Sequence, residues 1–565
     1  MKIQSKVNRL FMSVLMLFVL IPFLSFDSPE NNSKIDLEVF SKNYEGQLLK
    51  LLNNHKNPGK ELPDWTQLDP EIDGYEGTRT KSFYKYLKTL SPEPVRSDVI
   101  VAVIDSGFDI DHPDLNDNVW QNSAEVNGVS GIDDDENGYV DDFNGWNFLG
   151  NAKHLPYEFS REYFRLKKLN TPVSDPYFIK VEEEFVEKQD EIMATYKGLN
   201  ETLIEMEAAE DVLRKNNITT DPKKLQGISM SLPEGKTSDA ASIILGVYLL
   251  FGMEKDDLVK VTDEYELKSK VLFDSIDVSE LIGDDPLKLD ETNYGNNDVT
   301  EKNEEHGTHV SGVIASRKTG HAPYAKIMFL RAVPNEGDER DKDVGNAIRY
   351  AVDNGASIIN MSAGKYFSPY PEYVVDAVKY AEEKGVLFVI SAGNEGDDVK
   401  DIVNYPRKYT EENGEKKYFD NMIVVGASSW MKKWSKDKDP ENKNAKFDLL
   451  APFSNYSDEV VDVFAPGVQI YSTIPGGKYK SIDGTSMASP SVTGVAAVLK
   501  SYYPQLTAFQ LKEAILSSVR KYDGLKVKVK DSNTKYDFSK LSKSGGVIDM
   551  LNAYKVAGEL LRQTN

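Results

Sequence analysis

Four polar residues stand where apolar runs end, and together they could perform nucleophilic chemistry on an acyl group. Ser486 lies in Gly484-Thr485-Ser486-Met487-Ala488, just ahead of an apolar, helix-forming stretch at 489–499. A serine hydroxyl attacks only when a base takes its proton and donors receive the charge that develops on the substrate. A helix N-terminus helps with the second need, because its first backbone N–H groups are unpaired and the helix dipole is positive there. His306 opens His306-Gly307-Thr308-His309-Val310-Ser311-Gly312, which reads as another helix entry. Asp105 follows the continuous apolar run 99–104 and precedes Ser106-Gly107; Asn394 stands in Ser391-Ala392-Gly393-Asn394-Glu395-Gly396 after the run 386–390. Nucleophile, base, acid and amide donor are all present.

Short β-branched runs of this kind predict strands buried on both faces of a parallel sheet. Asp105 and Asn394 then sit at carboxyl ends of strands, where open α/β sheets place their chemistry. Of the other histidines, His55, His154 and His321 lack an acid and serine context, and His112 belongs to the loop after the strand that ends at Asp105. His309, three residues past His306 on the same helical face, competes with it for the role of base, and the rest are expected to be structural or exposed.

DSG, HGTHVSG, SAGNEG and GTSMASP, in that order, resemble the subtilases, the subtilisin-like serine proteases. The order Asp105, His306, Ser486 is also that of subtilisin. The resemblance runs from about Trp65 to the C-terminus with one large interruption. It implies an α/β, subtilisin-like three-layer fold with a mainly parallel central sheet. It also implies an endopeptidase in which Ser486 attacks, His306 moves the proton, Asp105 orients the imidazole, and Asn394 with the Ser486 N–H receives the oxyanion.

By the same resemblance, 357–364 is the substrate-binding strand, with Ser362, Ala363 and Gly364 the residues whose edge pairs with an extended peptide. Ala363 and Lys365 stand where the family more often has leucine and a second glycine. The pocket for the residue before the cleaved bond lies between this strand and Ala392-Gly393, with Asn404 on its floor. Protein or peptide substrates are the implied partners.

The stretch 133–142 places Asp133, Asp135, Asn137, Tyr139, Asp141 and Asp142 around Gly138. Oxygen donors at alternate positions with a glycine turn resemble the first half of an EF-hand loop, although position twelve would be Asn144. Many subtilases bind calcium in such loops, so structural calcium is expected and no organic cofactor.

The chain has 565 residues, a formal charge of −24 and no cysteine. The acidic balance argues against nucleic acid, which needs a basic surface. Without cysteine, disulfides and thiol chemistry are excluded. Lys2, Lys6 and Arg9 precede an apolar run at 10–24, the pattern of an export signal. The run is short of the roughly 20 residues a membrane span needs. The expectation is an exported protein, periplasmic, cell-surface or extracellular, with no membrane span except this leader if it stays uncleaved as an anchor.

These readings divide the chain into a signal peptide at 1–26, a linker or short pro-segment at 27–64, and a catalytic domain beginning at 65–152. A mostly helical insertion follows at 153–301, and the catalytic domain resumes at 302–565. The insertion separates Asp105 from His306, which are 201 residues apart. Within it Phe178, Phe185, Ile192, Leu199, Met206 and Leu213 recur every seven residues. That interval predicts an amphipathic helix, or a hairpin broken near Gly198, and a second helix is expected at 240–251.

Overall fold

The computed structural model describes residues 65–273, 278–432, 448–530, 532 and 534–564. The leader at 1–26 and the segment 27–64 lie outside the described residues. Two compact units are present: one contains Lys188–Ser269, the other Lys60–Glu187 and Lys270–Asn565.

The larger unit is built on a nine-stranded sheet. Its strands are β1 (Ile100–Asp105), β2 (Gly145–Asn147), β3 (Lys326–Arg331), β4 (Ile358–Met361), β5 (Leu387–Ser391), β6 (Met422–Ser428) and β7 (Val463–Pro466). A hairpin outside this sheet, β8 (Ile470–Ile474) and β9 (Lys478–Ile482), comes next, and β10 (Arg520–Lys521) and β11 (Gly546–Val547) return to the edge. The order across the sheet is β10-β11-β7-β6-β5-β4-β1-β3-β2, parallel throughout except for β10 with β11. Val101 to Ile104 are fully buried, as are the side chains of β4 and nearly all of β5. Covering both faces of a sheet is what makes its strands read as unbroken apolar runs.

The described helices of the insertion longer than ten residues are α1 (Glu158–Lys168), α2 (Pro176–Lys215), α3 (Lys236–Phe251) and α4 (Lys255–Phe273). After them, in the larger unit, come α5 (His306–Ala315), α6 (Asp341–Asp353), α7 (Pro371–Glu383), α8 (Thr485–Tyr502), α9 (Ala508–Ser517) and α10 (Met550–Thr564). Helix α8 packs on β4 to β7 with α5 beside it, while α6 and α7 pack on each other and reach β1 and β5. Helices, sheet and helices form the three layers of an α/β fold. The hairpin alternative for the insertion is excluded, since α2 is one helix of 40 residues running through Gly198. All six residues of the seven-residue series are buried.

Strand β1 is the switch point of the sheet: β4 to β7 extend from one side of it, β3 and β2 from the other. Open sheets leave a crevice beyond the carboxyl ends of the strands at such a point. Asp105 ends β1 there. The N-terminal arm is anchored to the same unit, with Trp65 buried and its indole N–H donating to Val468 O at 3.1 Å.

Candidate active site

Folding closes the 201-residue separation: His306 Nδ1 lies 2.8 Å from Asp105 Oδ1. Asp105 is 2 % exposed and also accepts from Ser106 N at 2.8 Å and Ser106 Oγ at 3.2 Å. A buried carboxylate so supplied stays fixed, and it selects the imidazole tautomer with the proton on Nδ1. The approach depends on Gly307. A Cβ there would stand 2.4 Å from Gly107 O and 3.1 Å from Asp105 Oδ1, so only glycine lets the first turn of α5 rest on the Asp-Ser-Gly turn.

The His306 side chain keeps 32 % of its surface exposed. Burial pulls its pKa down, but the Asp105 charge, the Asp105 hydrogen bond and the Glu304 charge together outweigh that, so the net shift is upward. Glu304 accepts from His306 N at 3.0 Å, and its own carboxyl is raised by burial. His309 is different. Its Nε2 bonds to Ile470 O (2.9 Å) and Lys480 O (3.1 Å) under the site, and burial holds it neutral, at about 3. His112 bridges Asp114 N and Lys478 O, and His321 is buried against Thr80, so both are structural. His154 is partly buried and away from these contacts; His55 lies outside the described residues.

Ser486 is the second residue of α8 and partly exposed. Its backbone N–H has no acceptor among the described residues, as expected at a helix start. Its hydroxyl donates to Ser362 O at 3.1 Å and makes no hydrogen bond to His306. Pro490 lies four residues on and lacks the N–H that would bond to Ser486 O. The Ser362 hydroxyl takes that place, donating to Ser486 O at 2.9 Å. Ser362 and Ser486 are thereby tied together in both directions.

Asn394 is exposed, and its Oδ1 accepts from Thr485 N and Thr485 Oγ1, both at 2.9 Å. A backbone N–H can only donate, so the accepting atom is the oxygen and the amide NH2 is left open beside Ser486. Gly393 before it has φ +98°, and a Cβ would strike Asn455 Nδ2 at 2.5 Å. Asn455 in turn donates to Ala392 O at 3.0 Å, which fixes this wall.

Ala363 and Gly364 continue from β4, and their backbone groups carry no hydrogen bond among the described residues. A free stretch of extended backbone is an edge on which another strand can add. Asn404 lies over it: a Cβ on Gly364 would meet Asn404 Oδ1 at 3.0 Å. Ser391, Ala392 and Asn404 line one cavity with Ile390, Ile402 and Pro406.

In the acidic loop the carboxylate oxygens of Glu125, Asp133 and Asp135 lie within 4.8 Å of one another. Hard oxygens at this spacing fit calcium, whose ligands stand about 2.3–2.6 Å from the ion. The remaining residues shape the loop. Asp142 is buried and accepts from Asn122 (2.6 Å), Asn137 (3.0 Å) and Tyr350 (2.5 Å). Asp141 Oδ2 accepts from Gly131 N, and the Tyr139 ring is packed edge-on against Trp146 and Tyr350. Glu125, Glu304, Thr485 and Asn455 were not singled out by the sequence reading. Only Pro490, four residues after Ser486, was a legible sign of the Ser362 contact.

The model of the subtilase family matches residues 96–538. A thermophilic serine proteinase of Bacillus sp. (strain AK1) is 36 % identical over 39 % of this chain and 48 % of its own length. Subtilisin DY of Bacillus licheniformis is 34 % identical over 38 % of this chain and 69 % of its own. Thermitase of Thermoactinomyces vulgaris is 36 % identical over 41 % and 73 %. The chain thus spans about half the length of the first of these and over two thirds of the other two. With the family model matching most of its length, this chain belongs to the subtilase family.

Proposed function

We propose that this protein is an exported serine endopeptidase that hydrolyses peptide bonds through an acyl-enzyme. The observation that carries this is the 2.8 Å Asp105–His306 pair at the carboxyl end of β1, with Ser486 at the open start of α8 in the same unit. An extended substrate adds to Ala363-Gly364, and the side chain before the cleaved bond enters between this segment and Ala392-Gly393, above Asn404. The Ser486 hydroxyl turns from Ser362 O toward His306 Nε2, a bond that commonly forms only with substrate in place. Its oxygen attacks the carbonyl carbon while Nε2 takes the proton, and Asp105 stabilises the imidazolium. The oxyanion is received by the Asn394 amide and the Ser486 N–H. His306 then protonates the leaving amine, and water, activated the same way, hydrolyses the ester.

Export is supported by the basic and apolar leader. Among the described residues, no helix is long and apolar enough to cross a membrane. Calcium would be held by Glu125, Asp133 and Asp135, where it would brace the acidic loop. Chelation should then lower the melting temperature of the wild type but not that of Glu125→Gln; equal melting with and without chelator would remove calcium from the account.

The activity itself is tested with a peptide ester at high enzyme concentration. A burst of one equivalent of alcohol followed by slower turnover is expected from an acyl-enzyme. No cleavage of any ester or peptide by the full-length protein would overturn the proposal.

A further inference from the structure

Lys365 follows the free Ala363-Gly364 edge, yet it is buried, with its side chain 3 % exposed. Lysine is rarely found in that state unless paired. Its Nζ contacts Glu158 Oε2 and lies 2.9 Å from Asp341 Oδ1 and 2.8 Å from Glu339 O. Glu158 opens α1, the first helix of the insertion, and Asp341 opens α6. Each acid has further partners: Arg161 donates to Glu158 at 2.7 and 3.1 Å, and Ser368 Oγ and Tyr370 N donate to Asp341, each at 2.8 Å. Arg161 also donates to Asp338 O and Glu339 O, and Asp338 accepts from Glu158 N at 2.7 Å.

Lys365 and Arg161 hold Glu158 down, at about 2, while burial raises Glu339 to about 7 and leaves it mostly uncharged below neutral pH. The Lys365 backbone is pinned as well, its N donating to Tyr405 O at 3.1 Å and its O accepting from Tyr405 N at 2.9 Å. Tyr405 is the neighbour of Asn404. At the other end of the short segment, Ser362 is fixed to Ser486.

We infer that Lys365, clamped by Glu158 of the insertion and by Asp341, is a positioning residue that holds the Ala363-Gly364 edge at the spacing an extended peptide needs. Ser362 fixes one end of the edge to the nucleophile, and Lys365 fixes the other end to α1 and α6. Two unpinned residues between two pins have little freedom, so the edge is preformed and its ordering cost is already met. A role for the insertion follows: through Glu158 it acts on peptide binding.

This rests on the endopeptidase reading, and its test separates the two. Removing one member of a buried pair leaves an uncompensated charge, so the charges should be removed together, as Lys365→Met with Glu158→Gln. For peptides with four or more residues before the cleaved bond, kcat/KM is expected to fall at least about tenfold, chiefly through KM, because small misplacements of a binding element are costly. An aryl acetate, which has neither a side chain for the pocket nor a backbone to pair with the edge, should be hydrolysed at the wild-type rate, and Lys365→Arg should retain most of the long-peptide activity. If the double variant does not fold, Glu158→Asp, which keeps the charge and shortens the reach, should give the same length-dependent loss. Equal losses on long and short substrates, or none on either, would overturn the inference. A wild-type protein inert toward both would instead remove the endopeptidase reading and the inference with it.

Discussion

Asn394 contributes through a single amide whose oxygen is already committed to Thr485. Asn394→Leu gives up the two bonds to Thr485, should still fold, and should lose about 10²–10³ in kcat with little change in KM, the magnitude seen in subtilisin for such an amide. An unslowed variant would deny the residue that role. His306 sets the pH dependence. It must be neutral to accept the serine proton, and the Asp105 charge favours its protonated form. Activity should thus rise with pH through a value above that of an ordinary imidazole, near 6.5. Asp105→Asn should move this limb downward as well as lowering kcat; a wild-type limb below 6.5 in kcat/KM would contradict the assignment. The roles of these residues were legible because each closes or opens an apolar run. Glu304 and Thr485 were not legible: their importance comes from contacts that chain neighbours alone do not reveal.

At the scale of elements, the site depends on how closely α5 and α8 approach the ends of the strands. Gly307→Val places a side chain against Gly107 O and should push α5 off β1, opening the Asp105–His306 pair. The expected result is a kcat reduced by about 10² or more, the order seen when a reacting group is misplaced by about 1 Å. Steady-state kinetics beside circular dichroism would check it, and unchanged kcat would mean the close approach is dispensable. Strands β1 and β5 could be read from sequence because both-face burial leaves an unbroken apolar signature. Whether α2 was one helix or two could not, since Gly198 is tolerated in a helix at a modest cost and also fits a turn. Nor did sequence reveal that α1 meets the substrate segment. That contact joins Glu158 to Lys365 across an ion network, and charged residues ordinarily read as solvated surface.

For the whole molecule, buried imidazoles link stability to pH. His309 and His321 are held neutral in the fold, each at about 3, by burial. The unfolded chain protonates them below about 6.5, so their contribution is full above that value and is lost as pH falls toward 3. Asp142 and Glu339, raised to about 6 and about 7 by burial, take up protons first in the folded chain and pull the other way down to their ordinary values. A difference measurement isolates one imidazole. The stability of wild type relative to His321→Gln should fall by up to about 1.4 kcal/mol for each pH unit below 6.5, measured by denaturant titration. A difference that does not vary with pH would show that His321 protonates equally in both states.

The central claim is that Ser486 is a nucleophile activated by His306 across a long separation in sequence. It is tested most directly by treating the protein with a serine-directed phosphonate and locating the adduct by peptide mass spectrometry. One equivalent on Ser486, absent in Ser486→Ala and slowed by orders of magnitude in His306→Ala, is the predicted result. No adduct on the folded wild-type protein, or labelling that persists unchanged in Ser486→Ala, would contradict it.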